Sequence, residues 1–312
     1  MNVFQNIENY NPDSKCILTI GTFDGVHIGH KKIIKKLVKL ANKKKIESTI
    51  LTFFPHPRMV LQKESNIKLI DTLEEKKNLL KKLGVDNLIV HPFSEAFSRL
   101  TSLEFCKDFL VNQLQTDTLL IGYDHHFGHN REAKSKDLAA MGQTYNFDVY
   151  IIPAQDISSI TVSSTKVRKA IESSNFRLVE KFLGRYFELT GIVTKGDGIG
   201  RTIDFPTANI IVKESYKLIP LNGVYLVSVK CEDNLFKGMM NIGIRPTING
   251  ERQTLEVHIF NFNKDIYNQK LKILFIEKIR DEQKFESLDA LKKQLEKDKE
   301  ISKRSLIKKG LH

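Results

Sequence analysis

Residues 16–30, CILTIGTFDGVHIGH, join a short apolar run to a glycine-containing turn and then to the start of a helix. Gly21 and Gly25 permit a tight turn and the close approach of a ligand to the backbone. Beyond the turn, Ile33–Ala41 repeats apolar residues at a period of 3.6, which predicts a helix with one buried face. The stretch therefore predicts a strand, a turn and a helix in direct succession.

The same unit repeats as far as about residue 152. Capping-box spacing marks helix starts at Thr72 and Thr101, and Gly84 can end the helix that begins near Thr72. The runs that read as strands are CILTIG, STILTFF, NLIVHPF, TLLIGYD and VYIIPA. Strands alternating with helices predict an α/β domain with a parallel sheet covered on both faces.

The pattern changes near Gly184. After a helical stretch from Ser164 to Leu183, Gly-, Pro- and Asn-rich turns separate six strand-like runs. These are FELTGIV, ANIIV, GVYLVSVK, KGMMNIGI, TLEVHIFNF and KLKILFIEKI. They predict an antiparallel barrel or sandwich, followed by a helix with Leu288, Leu291 and Leu295 on one face. We expect two domains, residues 1–183 and 184–312.

The composition of the 312 residues is that of an ordinary globular protein with a formal net charge of +12. Of the 49 basic residues only 11 are Arg, the usual reader of bases, so the charge suits small polyphosphate substrates better than nucleic acid. No apolar run reaches the length of a membrane span, and the N-terminus lacks the pattern of a signal peptide. Three widely spaced cysteines favour reduced thiols in a cytoplasm.

His27 and His30 are three residues apart at the predicted helix start, where both rings can face one ligand near the positive end of the helix dipole. That position suits the phosphates of a nucleotide. An isolated H-x-x-H is more often two ordinary loop histidines, but its glycine-containing context favours function.

GTFDGVHIGH resembles the phosphate-binding signature of nucleotidylyltransferases, in the form carried by bacterial bifunctional riboflavin kinase/FMN adenylyltransferases. FFPHP (residues 53–57), GYDHHFG (122–128) and VSSTKVR (162–168) follow in the order of that family. The resemblance implies an N-terminal Rossmann-like nucleotidylyltransferase domain, in which the FMN phosphate attacks the α-phosphorus of ATP and pyrophosphate leaves.

By the same resemblance, His27 and His30 are catalytic and hold the ATP phosphates. Further nucleotide-binding residues are Gly21, Phe23, Asp24, Asp124, Ser164, Thr165 and Arg168. The flavin-binding residues are Phe54, Pro55 and Pro57. Ser164 and Thr165 begin a predicted helix, and taken alone this position favours an ordinary N-cap.

Two positions depart from the family pattern. Thr161 stands where relatives often carry Arg, and residues 133–135 read Ala-Lys-Ser where many place glycines. Because Thr161 carries no positive charge, a second hypothesis remains open: the adenylyltransferase module is weak while the kinase is intact. The nearby histidines 125, 126 and 129 resemble a zinc-binding cluster, but the sequence around them has no matching pattern of Cys or carboxylate ligands.

A second nucleotide signal lies in residues 191–210, GIVTKGDGIGRTIDFPTANI. A flexible loop with Gly196, Gly200 and Arg201 can cover phosphates. Thr207 and Asn209 share one face of an extended chain and can offer two oxygens to one Mg²⁺. Taken alone, PTAN is a common turn sequence.

Glu256 and His258 occupy the same face of a predicted strand. A lone strand Glu is usually solvated. However, GVY (223–225), NIGIRPT (241–247) and EVHIFNFNKDIY (256–267) resemble the riboflavin kinase barrel. The resemblance makes Glu256 the general base for the ribityl 5′-hydroxyl, and it assigns Mg²⁺-ATP to Thr207 and Asn209. It assigns the flavin to Arg245, Arg280 and Glu282.

The sequence leaves three hypotheses about function. The first is a bifunctional enzyme whose partners are riboflavin, FMN, FAD, ATP and pyrophosphate, with Mg²⁺ accompanying ATP and flavins as substrates and products. The second is a riboflavin kinase with a weak or inactive adenylyltransferase module. The third is a basic RNA-binding protein, which would bind with a steep salt dependence and would not need Glu256. The motifs favour the first, with no nucleic-acid or membrane partner.

Overall fold

The computed structural model describes residues 1–12, 14–62, 66–122, 126–128, 133–152, 162–196, 198–247 and 250–311. The chain divides into two compact units, Met1–Ser164 and Thr165–His312. The division falls earlier than the expected boundary between residues 183 and 184, which stays a prediction.

The first unit is built on a six-stranded parallel sheet with the order β1-β4-β3-β2-β5-β8. Its strands are β1 (Asn2–Phe4), β2 (Cys16–Ile20), β3 (Glu47–Phe53), β4 (Asn87–His91), β5 (Thr116–Gly122) and β8 (Asp148–Ile152). A small antiparallel pair is formed by β6 (His126–Phe127) and β7 (Ala133–Lys134). The five predicted strands are confirmed, and β1, only three residues long, is additional.

The helices of this unit connect the strands. They are α1 (Ile28–Lys44), α2 (Pro57–Leu61), α3 (Leu73–Lys82), α4 (Glu95–Ser98), α5 (Ser102–Glu104), a π-helical stretch at Phe105–Gln113, and α6 (Ser135–Tyr145). Both predicted capping boxes form, at Thr72 and Thr101. Gly84, with φ +82°, follows the end of α3.

Alternate residues of the central strands pack on opposite sides of the sheet. Ile17 and Leu120 join the cluster that contains α1 and α3, whereas Leu18 and Leu119 join the cluster that contains the π-helical stretch and α6. Helices therefore cover both faces, as predicted, and burial on both faces explains why the strands are continuous apolar runs.

The second unit begins at Thr165, within α7 (Ser164–Glu172), and continues through α8 (Phe176–Leu183) into a closed six-stranded antiparallel barrel. The barrel strands are β9 (Phe187–Thr194), β10 (Ala208–Ile211), β11 (Gly223–Cys231), β12 (Asn234–Thr247), β13 (Gly250–Ile259) and β14 (Lys270–Arg280). They follow the order β10-β13-β12-β11-β14-β9, and β9 closes onto β10. The alternative of a sandwich is thereby excluded.

Two further helices belong to this unit, α9 (Ile199–Thr202) and the C-terminal α10 (Leu288–Lys308). Leu291, Leu295 and Leu306 of α10 pack with the barrel, but Leu288 is 53 % exposed. The predicted common face of α10 is therefore only partly correct.

Candidate active sites

The turn between β2 and α1 is held in an unusual backbone conformation. Phe23 and Val26 both adopt positive φ values, +45° and +37°, a backbone conformation that residues other than glycine rarely adopt. Gly25 has φ +86°, and a Cβ there would lie 2.8 Å from Cδ1 of Ile70. Such conformations persist where surrounding contacts impose them, and they cluster at ligand-binding sites.

His27 and His30 form a stacked pair at the start of α1. Their ring centroids are 3.6 Å apart with an interplanar angle of 16°. His27 is the N-cap residue, and its Nδ1 accepts the backbone N–H of His30 at 3.3 Å. A ring nitrogen that accepts a hydrogen bond carries no proton, so the neutral His27 ring has its N–H on Nε2.

Both rings are neutral at pH 7. Burial lowers the pKa of His27 to about 4. Burial, the neighbouring His27 and the Lys76 ammonium hold the pKa of His30 well below its usual range. The pair can therefore bind an anion as neutral hydrogen-bond donors beside the positive end of the helix dipole.

Asp24 ties this turn to two distant segments. Its buried carboxylate accepts the backbone N–H of Ile70 at 2.9 Å, and its backbone carbonyl accepts the Ser164 hydroxyl at 2.9 Å. The structure therefore brings Ser164, the last residue of the first unit, to the turn. The predicted role of Asp24 as a direct nucleotide contact stays a prediction.

Lys76 is a residue of this site that the sequence interpretation missed. It lies on α3 and is only 4 % exposed, and its Nζ donates to the backbone carbonyl of Thr22 at 2.7 Å. In the sequence it belongs to a run of charged helix residues, and that pattern gives no sign of its burial.

The other predicted residues of the first motif set lie at several places. A Cβ on Gly21 would lie 3.1 Å from the Phe23 ring, so that ring sits close against the turn. Thr165 is exposed and Arg168 is buried on α7, within the second compact unit. Asp124 and Thr161 lie outside the described residues, as do His125, His129 and the side chain of His126.

The predicted flavin segment follows β3. Phe54 packs against the α1 and α3 side of the sheet, and its N–H donates to the His91 carbonyl at 3.1 Å. The Phe54–Pro55 peptide bond is cis, and Pro57 is the first residue of α2. The segment is thus an ordered turn at the carboxyl end of a sheet strand, where α/β folds place ligands.

The barrel unit contains a cavity of about 250 Å³ between the barrel and α10. One side of the cavity is apolar and includes Phe205, Met239, Phe285, Leu291 and Leu295. The polar lining residues are Thr207, Asn241, Thr254, Glu256, His258, Arg280, Glu282 and Gln283. An apolar pocket with a few convergent polar groups is the usual form of a small-molecule site.

Glu256 lies among the residues that the PTAN motif singled out. Thr207 Oγ1 donates to Glu256 Oε2 at 3.2 Å, and Asn209 lies directly opposite Glu256 in the pairing of β10 with β13. Hydroxyl, amide and carboxylate oxygens are the donors that Mg²⁺ prefers, so this set fits the predicted metal.

The glycine-rich loop closes tightly around these residues. A Cβ on Gly196 would meet Asn209 Nδ2 at 2.0 Å, and one on Gly200 would meet the Phe205 carbonyl at 2.2 Å. Only glycine fits at these positions without displacement of the neighbouring groups. Arg201 follows in α9 and is exposed.

The predicted flavin residues of the barrel line the cavity but also have internal partners. Arg280 Nε donates to both oxygens of the fully buried Asp298 at 3.0 and 2.9 Å, and its Nη2 is 2.8 Å from the same carboxylate. Glu282 accepts from the Ile244 N–H and from Asn222. Arg245 lies on β12, and its side chain is outside the described residues.

His258 is a cavity residue to which the sequence assigned no role, although its strand face was predicted. Its Nδ1 is 2.8 Å from the Pro206 carbonyl, which can only accept, so the proton is on Nδ1. Burial lowers the pKa of His258, and the neutral ring holds the backbone immediately before Thr207.

Two negative findings concern the described part of the chain. Within it, no helix combines the length and apolarity that crossing a membrane requires. Nor do its residues form a group of three or more His, Cys, Asp or Glu side chains that could hold a metal ion. The three cysteines are buried and free.

Comparison with known proteins matches both units. The family model described as FAD synthetase matches residues 10–166, and the one described as riboflavin kinase matches residues 183–306. A solved structure from Streptococcus pneumoniae named a macrolide-efflux protein has 30 % identity and a TM-score of 0.88, covering 97 % of this chain and 98 % of its own.

Curated relatives match nearly end to end. The bifunctional riboflavin kinase/FMN adenylyltransferase of Escherichia coli K12 is 36 % identical over 301 residues, covering 96 % of each chain. The protein of the same name from Haemophilus influenzae is 38 % identical over 289 residues, covering 92 % of this chain and 93 % of its own. This chain therefore belongs to the family of bifunctional riboflavin kinase/FMN adenylyltransferases.

Proposed function

We propose that the two reactions of the family take place at the two sites described above, one in each compact unit. Riboflavin and ATP give FMN and ADP in the barrel cavity, and FMN and ATP give FAD and pyrophosphate at the turn between β2 and α1. The observation that supports this division most directly is that each unit contains its own cluster of motif residues.

In the barrel, Glu256 is the general base. Its Oε2 lies 3.2 Å from Thr207 Oγ1, and Asn209 lies opposite it in the strand pairing, so Thr207 and Asn209 would hold the Mg²⁺ that accompanies ATP beside this base. Removal of the 5′-hydroxyl proton by Glu256 makes that oxygen a better nucleophile, and magnesium supplies charge stabilisation for the transferred phosphoryl group. The apolar wall of the cavity suits the flat ring system of the flavin.

In the first unit, His27 and His30 hold the ATP phosphates. The FMN phosphate attacks the α-phosphorus, and the neutral imidazole N–H groups with the N-terminus of α1 stabilise charge on the leaving pyrophosphate. No covalent enzyme intermediate is required, because orientation and charge stabilisation supply the catalysis. The nucleotide-binding roles expected of Thr165, Arg168 and Asp124 stay predictions.

A direct test separates the sites by substitution. Purified His30→Ala protein should lose conversion of FMN to FAD but keep phosphorylation of riboflavin, whereas Glu256→Gln should do the reverse. If the unmutated protein with excess Mg²⁺-ATP forms FMN but no FAD at any flavin concentration, the bifunctional assignment is wrong. The protein is then a riboflavin kinase with an inactive adenylyltransferase module, which is the second hypothesis. We also propose a cytoplasmic location, where both ATP and reduced thiols are present.

A further inference from the structure

Lys76 is a buried cation beneath the turn that carries His27 and His30. Lysine is almost never fully buried without a partner, because removing its ammonium group from water is unfavourable. Here Nζ donates to the Thr22 carbonyl at 2.7 Å, and the same carbonyl accepts the Thr52 hydroxyl at 3.3 Å. Thr22 immediately precedes Phe23, the first residue of the turn with positive φ.

The charge of Lys76 acts on His30 as well as on the backbone. Burial lowers the pKa of Lys76, while the carboxylates of Asp24 and Asp71 oppose that change and favour the charged form. In turn, Lys76 contributes to the low pKa of His30, after burial and His27. A positive charge close to His30 also lies close to whatever the His27 and His30 rings bind.

We propose that Lys76 is a positioning residue for adenylyl transfer, which fixes the Thr22 carbonyl and adds a buried positive charge beneath the phosphate-binding turn. This inference rests on the proposed binding of ATP phosphates at His27 and His30. Lys76 acts through the turn and does not touch the nucleotide.

The test compares Lys76→Met with Lys81→Met, which removes an exposed lysine from the same helix. FAD formation is measured in the full-length protein as a function of ATP and of FMN concentration. We expect Lys76→Met to raise the KM for ATP about tenfold or more, the effect of losing a hydrogen bond from a charged group. The KM for FMN of Lys76→Met should stay within about twofold of the wild-type value, a change smaller than the loss of a charged hydrogen bond would cause. For Lys81→Met, kcat and both KM values should stay within the same range.

A second readout separates this role from simple structural support. The ring titration of His30, followed by NMR in the ligand-free protein, should move to higher pH in Lys76→Met, because a neighbouring positive charge is removed. A loss of kcat with unchanged KM for ATP would indicate a damaged fold and would overturn the proposal, as would an unshifted His30. Lys76→Gln, which is shorter and polar, should show the same KM signature.

The outcome also distinguishes this inference from the function on which it rests. If His30→Ala abolishes FAD formation but Lys76→Met leaves the KM for ATP unchanged, only the role of Lys76 is wrong. If His30→Ala retains FAD formation, the phosphate site itself is misplaced. Riboflavin phosphorylation by each sample serves as a control for the amount of intact protein.

Discussion

Two imidazole rings stacked 3.6 Å apart would repel each other if both carried a proton, and His27 and His30 avoid this by staying neutral. Their spacing of three residues predicted that they share a ligand. It did not predict their stacking, and it did not predict the burial of Lys76, which depends on the contact of α3 with the turn. A lysine in a charged run of an amphipathic helix is usually a solvated residue.

We expect the His27 ring to remain neutral, with its proton on Nε2, from pH 8 down to about pH 5, since its pKa is about 4. Ring ¹⁵N NMR would show this directly, with His27→Gln to assign the signal. The unfolded chain takes up a proton near pH 6.5, so His27 stabilises the fold fully above that pH and loses this contribution as the pH falls toward 4. A ring that titrates near 6.5 would contradict the burial argument.

Glu256→Gln should lower the rate of FMN formation by about 10²-fold or more, because the amide keeps the shape and loses the basicity. Conversion of supplied FMN to FAD should remain within about threefold, well below the effect of losing a base. Flavin separation after incubation with Mg²⁺-ATP measures both reactions. Glu296→Gln, an exposed position on α10, is the matched control, and equal kinase loss in both variants would refute the assigned base.

At the scale of elements, hydrophobic pattern and turn residues predicted eleven strands and an antiparallel barrel or sandwich, but they did not predict every break between helices. The predicted helical stretch from Ser164 to Leu183 is two helices, since Ser174 has φ +54° and Asn175 caps α8 through the Leu178 N–H. The break was not predicted because serine and asparagine also occur inside helices. The sequence pattern also did not predict the contact between α10 and Arg280, because a buried ion pair there joins residues 18 positions apart.

Asp298→Asn tests the contact between α10 and the cavity wall. The change leaves Arg280 without a balancing charge, so we expect the free energy of unfolding to fall by about 3 kcal/mol. The KM for riboflavin should rise, since Arg280 and the following residues line the cavity. Denaturant unfolding and kinase kinetics measure the two effects. In the double variant Arg280→Met/Asp298→Leu, stability should return toward wild type while the riboflavin KM stays high.

At the scale of the whole molecule, the two compact units were predicted, but their division was placed within the loop after α8. The reason is packing: Phe176 of α8 stacks on Phe275 at 5.1 Å and meets Tyr225 edge-on at 5.6 Å. These are buried barrel residues, so α8 completes the barrel core. Composition changes at Gly184, whereas contacts change earlier along the chain.

A fragment of residues 165–312 should therefore fold and phosphorylate riboflavin, and one of residues 184–312 should be less stable. Losing the Phe176 ring alone removes a contribution of about 3–5 kcal/mol. Calorimetric melting of the two fragments, with kinase activity of each, makes the comparison. Equal melting temperatures would place the boundary at residue 184 instead.

The closed barrel and the open sheet expose different amounts of unpaired backbone to other chains. In the barrel every strand pairs with a neighbour on each side over at least part of its length, so the barrel offers less free edge on which a second molecule could add a strand. The parallel sheet ends at β1 and β8, and β1 exposes only three residues. When the protein is heated at high concentration, intermolecular strand pairing should begin at β8, and the nucleotidyl-transferring unit should enter aggregates before the kinase unit.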